Sequence, residues 1–246
     1  MYHFFVPEGP GPDGIIRITG QDVRHIRNVL RMKPGEKVVI SDGRDKDYYC
    51  HIEEINAEEV SVVIEDEAEA AELPAELVLY QGLPKGDKLE LIIQKAVELG
   101  AARIVPVEMK RSVVKLDEKK KASRLTRWNT ISESAAKQSG RSICPEVGPV
   151  LTYRQAVEEA SNMDLMLVPY ENARGMEATK EAMSLLAPGK SVAIFIGPEG
   201  GFDPDEIKLA EEKGARTISL GKRILRTETA GLAALTLCMY HLEIGN

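Results

Sequence analysis

From Glu76 to the C-terminus the sequence alternates between short apolar runs and amphipathic stretches, and this alternation limits the fold more than any other feature. The strand-like runs are Glu76–Gln81, Arg103–Val107, Asp164–Val168, Ser191–Ile196 and Arg216–Leu220. Between and after them, helical spacing is read at Asp87–Leu99, Glu118–Ser139, Tyr153–Ala160, Ala178–Leu186, Pro204–Lys213 and Thr229–Leu242. Parallel strands need long crossovers, usually helical, so the pattern predicts an α/β domain with a largely parallel sheet.

The first 72 residues follow a different rule. Thr19-Gly20-Gln21-Asp22 offers helix-start chemistry, and Val23, Ile26, Val29 and Leu30 recur at helical spacing, with Arg24, Arg27 and Arg31 on another face. Short strands are expected at Lys37–Ser41, Tyr48–Ile55 and Val60–Glu65, with a turn at Asp42-Gly43-Arg44-Asp45, as in a small barrel or half-barrel. The acidic, alanine-rich stretch from Glu65 to Pro74 reads as a linker, which divides the chain into domains 1–72 and 73–246.

Charge follows the same division. The net charge of −7 is −8 over residues 1–72 and +1 over the rest, and Arg103 to Arg141 alone carries +7. An acidic total therefore does not exclude a nucleic-acid partner, because a local basic block creates its own field.

Two strand ends run into unusual loops. Ile196 leads into Gly197-Pro198-Glu199-Gly200-Gly201-Phe202 before a helix opening with Pro204, Asp205 and Glu206. Leu220 leads into Gly221-Lys222-Arg223-Ile224-Leu225-Arg226-Thr227-Glu228 before a hydrophobic helix. In open α/β sheets ligands bind just beyond the carboxyl ends of strands, where glycines admit close backbone approach and helix N-termini offer free N–H groups. A third strand end, at Leu83-Pro84-Lys85-Gly86-Asp87-Lys88, places two lysines at a helix mouth.

Several chemistries lack their residues. The chain has no P-loop, no G-x-G-x-x-G after a strand and no G-x-S-x-G elbow. Its four histidines are scattered and its three cysteines stand far apart, so neither a metal site nor a disulfide framework is expected. No apolar run reaches membrane-spanning length, and Met1–Pro7 has no signal-peptide pattern, so a cytoplasmic protein is expected.

Five segments carry a resemblance: His25–Arg31, Leu83 through Gly100, Glu133–Arg141, Gly197–Phe202 and Leu220–Ala230. In these the chain resembles the bacterial RsmE-type ribosomal RNA uridine N3-methyltransferases, members of the SPOUT superfamily. Lys137 departs from the pattern, standing where an acidic residue precedes Gln-Ser-Gly-Arg. The resemblance implies a PUA-like RNA-binding barrel followed by a SPOUT domain with a deep trefoil knot. It also implies a homodimer, S-adenosylmethionine as methyl donor, no metal, and N3 of a uridine in small-subunit (16S) ribosomal RNA as acceptor. Another ribosomal or transfer RNA position, or a non-catalytic RNA-binding module of the same fold, are the alternatives.

The implied cofactor residues are Val168, Pro169, Tyr170, Ile196, Gly197, Pro198, Glu199, Gly200, Leu220, Gly221, Ile224, Leu225, Thr229 and Ala230. Arg226 is the candidate for stabilising charge that develops on the base or for orienting it. Glu199 or Glu228 is either a proton acceptor or a structural partner of Arg226. Arg24, Arg31, Lys85, Arg111 and Arg141 are the candidate RNA contacts. N3 lies on the pairing edge of uracil, so the base must be unpaired or flipped out.

Overall fold

The computed structural model describes residues 1–244 apart from 45, 172 and 174; Asp45, in the expected turn, thus lies outside the described residues. The chain packs as two compact units, one of Met1–Glu72 with Ala136–Cys144, the other of Leu73–Ala135 with Pro145–Asn246.

The first unit is built on β1 (Tyr2–Phe5), β2 (Ile15–Thr19), β3 (Lys37–Ser41), β4 (Asp47–Ile55) and β5 (Glu59–Ala68). They form one curled sheet in the order β1-β3-β4-β5-β2, parallel between β1 and β3 and antiparallel elsewhere. Alternation turns Ile16, Ile18, Val38, Ile40, Tyr48, Cys50, Ile52, Val60 and Val62 into one core. β1 and β2 lie at its two ends, so the sheet is a half-barrel. The acidic Glu65–Ala68, expected in a linker, is strand: Asp66 and Glu67 pair with Tyr49 and Tyr48 while staying solvent-exposed.

The expected regular helix after Thr19 is also different. α1 (Gln21–Arg24) opens into a π-helix at His25–Leu30, which ends at Arg31 in the left-handed region at φ 54°. The wider turn keeps Val23 and Ile26 in the core but leaves Val29, expected on the apolar face, 66% exposed.

Ala136–Cys144 joins this unit through side chains. The Glu72 carboxylate accepts from Arg141 Nε at 2.9 Å and from the backbone N–H of Ser142 at 2.9 Å and Ile143 at 3.2 Å. Ser142 donates to Asp47 at 2.7 Å and accepts from Ala71 N–H at 3.0 Å. Ser41 donates to the other Asp47 oxygen and pairs with His3, whose imidazole burial holds below the ordinary histidine range. Lys137 meets Asp22 at 2.9 Å.

The second unit alternates as expected except for two short strands, β8 and β9, that the sequence pattern does not show: β6 (Glu76–Gly82), α2 (Lys88–Glu98), β7 (Arg103–Glu108), α3 (Glu118–Ser139), β8 (Glu146–Val147), β9 (Leu151–Thr152), α4 (Tyr153–Ala160), β10 (Leu165–Pro169), α5 (Glu177–Met183), β11 (Ser191–Ile196), α6 (Pro204–Glu212), β12 (Arg216–Ile218) and α7 (Thr227–Glu243). The last turn of α3 falls in the first unit. The sheet runs β12-β10-β11-β6-β7-β8, with β9 also beside β7, and every pairing is parallel. Tyr80 and Phe195 stack at 4.6 Å at its centre, and Tyr153 meets Phe195 edge-on. β12 stops two residues early because the Thr179 hydroxyl takes both the Ser219 N–H and the Ser219 carbonyl, at 2.9 and 3.0 Å. Among the described residues no helix is long and apolar enough to cross a membrane.

Candidate active site

Parallel strands present their carboxyl ends at one edge, and there the loops after β10, β11 and β12 enclose a cleft of about 540 Å³. Pro169, Tyr170, Ile196, Gly197, Pro198, Glu199, Gly200, Leu220, Gly221, Ile224, Leu225 and Ala230 line it, together with Arg226. Val168 is buried in the sheet beneath, and Thr229 points to solvent on α7, so neither of these two expected cofactor residues lines the cleft. Lys88, Glu171, Gly201, Phe202, Ser219, Lys222, Arg223 and Thr227 also line it.

The β11 loop is held tightly. A Cβ on Gly82 would lie 2.7 Å from Pro198 N and Cδ and from Met109 Sδ, so only glycine admits Pro198 there. Asp203 caps α6, and Glu206 returns the bond to complete a capping box, with Pro204 in the first turn. Lys110 clamps the same corner through Asp203 at 2.9 Å and Asp205 at 3.2 Å.

Beneath the loops lies a hydrogen-bond relay that sequence reasoning missed. The fully buried Gln81, on β6, donates from Nε2 to Thr227 Oγ1 at 2.9 Å and to the Gly82 carbonyl at 3.0 Å. Thr227 Oγ1 in turn donates to the Gly197 carbonyl at 2.7 Å. Gln81 and Thr227 are 146 positions apart, so no local pattern could have paired them.

The charges divide unevenly. Lys88 Nζ contacts Glu199 at 3.0 Å and Glu228 at 3.3 Å, and both carboxylates hold its pKa above the ordinary lysine value. Burial alone would raise the Glu199 carboxyl. Hydrogen bonds from its own N–H, from Lys85 N–H at 3.1 Å and from Lys88 outweigh that and hold it below the usual range. Neither carboxylate pairs with Arg226, whose exposed guanidinium has no hydrogen bond or ion pair among the described residues.

The cleft fits an adenosine-like ligand. Ile196, Leu220, Ile224 and Leu225 supply an apolar slot. From Leu220 to Arg226 one backbone N–H hydrogen bond is found among the described residues, Gly221 to Ser219 Oγ at 3.2 Å. The other N–H groups of this loop are thus available to the edge of a base or a ribose.

The expected RNA contacts separate. Arg24 and Arg31 are exposed at the two ends of the π-helix, and Lys85 is exposed beside Glu199. Arg111 is exposed, but its guanidinium also donates to the Gly200 carbonyl at 3.2 Å. Arg141 is a correction: it is 3% exposed, and its guanidinium is committed to Glu72, out of reach of a phosphate. The +7 stretch is likewise no open field. Arg103, Lys110, Arg127 and Lys137 pair with Glu159, Asp203, Glu90 and Asp22, all outside the stretch. Lys115, Lys119 and Arg124 lack such a partner among the described residues.

Strand-end glycine loops and an apolar slot form a ligand cleft beside an arginine with no partner among the described residues, and comparison with known proteins names the class. The pattern of the RNA methyltransferase domain matches residues 71–239, and that of the RNA methyltransferase PUA domain matches residues 18–65. Ribosomal RNA small subunit methyltransferase E of Bacillus subtilis (strain 168) is 40% identical over 231 residues, covering 92% of this chain and 90% of that protein. The enzyme of the same name from Neisseria gonorrhoeae, in a crystal structure bound to S-adenosyl methionine, superimposes with a TM-score of 0.84 at 34% identity, over 99% of this chain and 98% of its own. A methyltransferase from Legionella pneumophila, in complex with the bound cofactor SAM, gives 0.81 at 32% identity, over 96% of each chain. The chain belongs to the RNA methyltransferase family, in the group of the small-subunit methyltransferase E proteins.

Proposed function

We propose that this protein is an S-adenosylmethionine-dependent methyltransferase acting on N3 of a uridine in small-subunit (16S) ribosomal RNA. The observation that carries the reading is the cleft itself: an apolar slot with backbone N–H groups unpaired among the described residues, next to an arginine with no carboxylate partner among them. The enzyme class rests on the family, and the similar proteins bound to S-adenosylmethionine support the donor. Residues 1–72, with Ala136–Cys144 packed among them, act as the RNA-binding domain and the rest of 73–246 as the methyltransferase domain; the family patterns at 18–65 and 71–239 support a division near residue 72. The protein works in the cytoplasm as a homodimer; Leu237 and Tyr240, 38% and 56% exposed on the apolar α7, suit a subunit contact.

When bound, S-adenosylmethionine supplies an already activated methyl group, so the chain's own work is positioning and charge control. Ile196, Leu220, Ile224 and Leu225 would hold the donor's adenosine, with backbone groups of the 197–201 loop available to its polar edge. Arg226 faces the flipped uracil and stabilises the negative charge that develops when N3 loses its proton. That stabilisation draws the N3–H toward ionisation near neutral pH, and the proton leaves to solvent. Glu199, held ionised by three donors, is a weak base and serves as an anchor for Lys85 and Lys88. Glu228 shares that ammonium, and the pairing leaves Arg226 free for substrate.

The test is methylation of small-subunit RNA, naked and as assembled subunits, from a strain lacking the enzyme, with the product nucleoside identified by mass spectrometry. The expected product is 3-methyluridine at one position. Methyl on another atom or base would overturn the N3 assignment. Absence of S-adenosylmethionine binding by calorimetry would overturn the enzyme reading.

A further inference from the structure

We propose that Gln81 and Thr227 are positioning residues that lock the cofactor loop and the Arg226 loop into one unit, so that the donor and the charge-stabilising arginine are set by a single hydrogen-bonded junction. This rests on the function proposed above. The Thr227 hydroxyl is the junction: it accepts from Gln81 Nε2 at 2.9 Å and donates to the Gly197 carbonyl at 2.7 Å. Gly197 opens the loop that lines the cleft, and Thr227 directly follows Arg226 at the start of α7. One hydroxyl therefore ties the end of β11 to the residue next to the arginine, and Gln81 anchors it from the neighbouring strand β6.

The orientation of the Gln81 amide follows from its partners. Both Nε2 hydrogens meet acceptors, the Gly82 carbonyl and Thr227 Oγ1. A flipped amide would put oxygen against the Gly82 carbonyl and would draw the Thr227 proton away from Gly197. In the orientation found, Oε1 is buried with no partner among the described residues, and it faces Gly231 of α7 at a distance where an added Cβ would sit 3.4 Å away. A leucine would fill the space with no orphaned oxygen, so the amide is better explained by its donors than by packing. Arg226 itself has no side-chain partner among the described residues, so its direction depends on the backbone that this junction holds.

Thr227→Val removes the hydroxyl and keeps the shape, Thr227→Ser keeps the hydroxyl, and Gln81→Met removes the amide. At saturating donor and RNA, the single-turnover rate of Thr227→Val and of Gln81→Met should fall about tenfold or more, as a displaced reacting geometry requires. Thr227→Ser should stay near wild type. The double variant should be no slower than the slower single, because both substitutions break one unit. Amide hydrogen exchange over residues 196–202 and 226–231, measured without donor or RNA, reads the coupling independently of activity. Either substitution should speed exchange in both loops, and serine should restore protection. Exchange confined to one loop, a serine variant as slow as valine, or losses that multiply in the double variant would overturn the proposal. If the wild-type chain does not methylate ribosomal RNA, the functional reading fails, and the exchange data still decide the junction.

Discussion

Two arginines, one in each unit, show how differently the same side chain is used. Arg141 is buried, with Glu72 as its partner, and adjoining groups complete the network through Ser142 and Asp47. Arg226 is exposed at a helix start, and the nearby carboxylates Glu199 and Glu228 are both held by Lys88. The first unit neutralises its arginine internally and gains cohesion. The cleft leaves its arginine solvated and without a protein partner among the described residues, so a substrate can meet its charge without breaking an ion pair. An arginine in a basic stretch is thus uninformative until its partner is known.

The sharpest way to break this contrast is to remove each arginine in turn. Arg141→Ala leaves Glu72 in a site built for a cation and should cost about 3–5 kcal/mol of unfolding free energy by urea titration, with the methyl-transfer rate per folded molecule unchanged. A loss under about 1 kcal/mol would show that Arg141 is not the cohesive element. Arg226→Ala should do the reverse, lowering the single-turnover rate about 10²–10³-fold while S-adenosylmethionine affinity and stability hold. Near-normal turnover would remove Arg226 from the reaction. Glu228→Gln should retain most turnover; a loss matching that of Arg226→Ala would make Glu228 the proton acceptor instead.

A smaller effect sharpens the reading of the first unit's surface. Arg24→Glu with Arg31→Glu should flatten the salt dependence of RNA binding, reducing the log–log slope by about two if each arginine meets one phosphate. An unchanged slope would take the π-helical segment out of the footprint. The smallest effect concerns an exposed pair. Asp164 accepts from Lys190 and from Ser191, which lowers its carboxyl to about 2. Its folded pKa lies below the unfolded one, so its stabilisation is present above the ordinary aspartate range and disappears as pH falls through about 2. Asp164→Asn should therefore lower the urea midpoint slightly at neutral pH, and the difference should shrink as pH falls toward 2. A difference that grows on acidification would contradict the assignment.

The second unit was largely legible in the sequence because each of its elements announces itself locally. Apolar runs such as Ser191–Ile196 and capped helices such as Pro204–Glu212 have the period and end residues their geometry needs. The glycine-rich loops were legible for the same reason. The π-helix at His25–Leu30 was not, since its apolar spacing matches an ordinary helix and the extra residue per turn shows only in how Val29 faces. The short β8 and β9, two residues each, are too brief for any periodicity. Gln81 and Arg141 were missed or misread because their partners lie 146 and 69 residues away. A polar residue with a distant partner carries no local sign of it.

The membership of Ala136–Cys144 in the first unit has a consequence for the order in which the chain can be made. When residue 72 leaves the ribosome, Asp47 and Glu72 are present but Arg141 and Ser142 have not been synthesised. At ~5–20 residues per second, that wait lasts roughly 4–14 seconds. Until α3 has emerged, Glu72 and Asp47 lack the Arg141 and Ser142 donors that meet them in the folded unit. A fragment ending at residue 72 lacks both donors for good, so the natural unit of biosynthesis for this domain extends to Cys144.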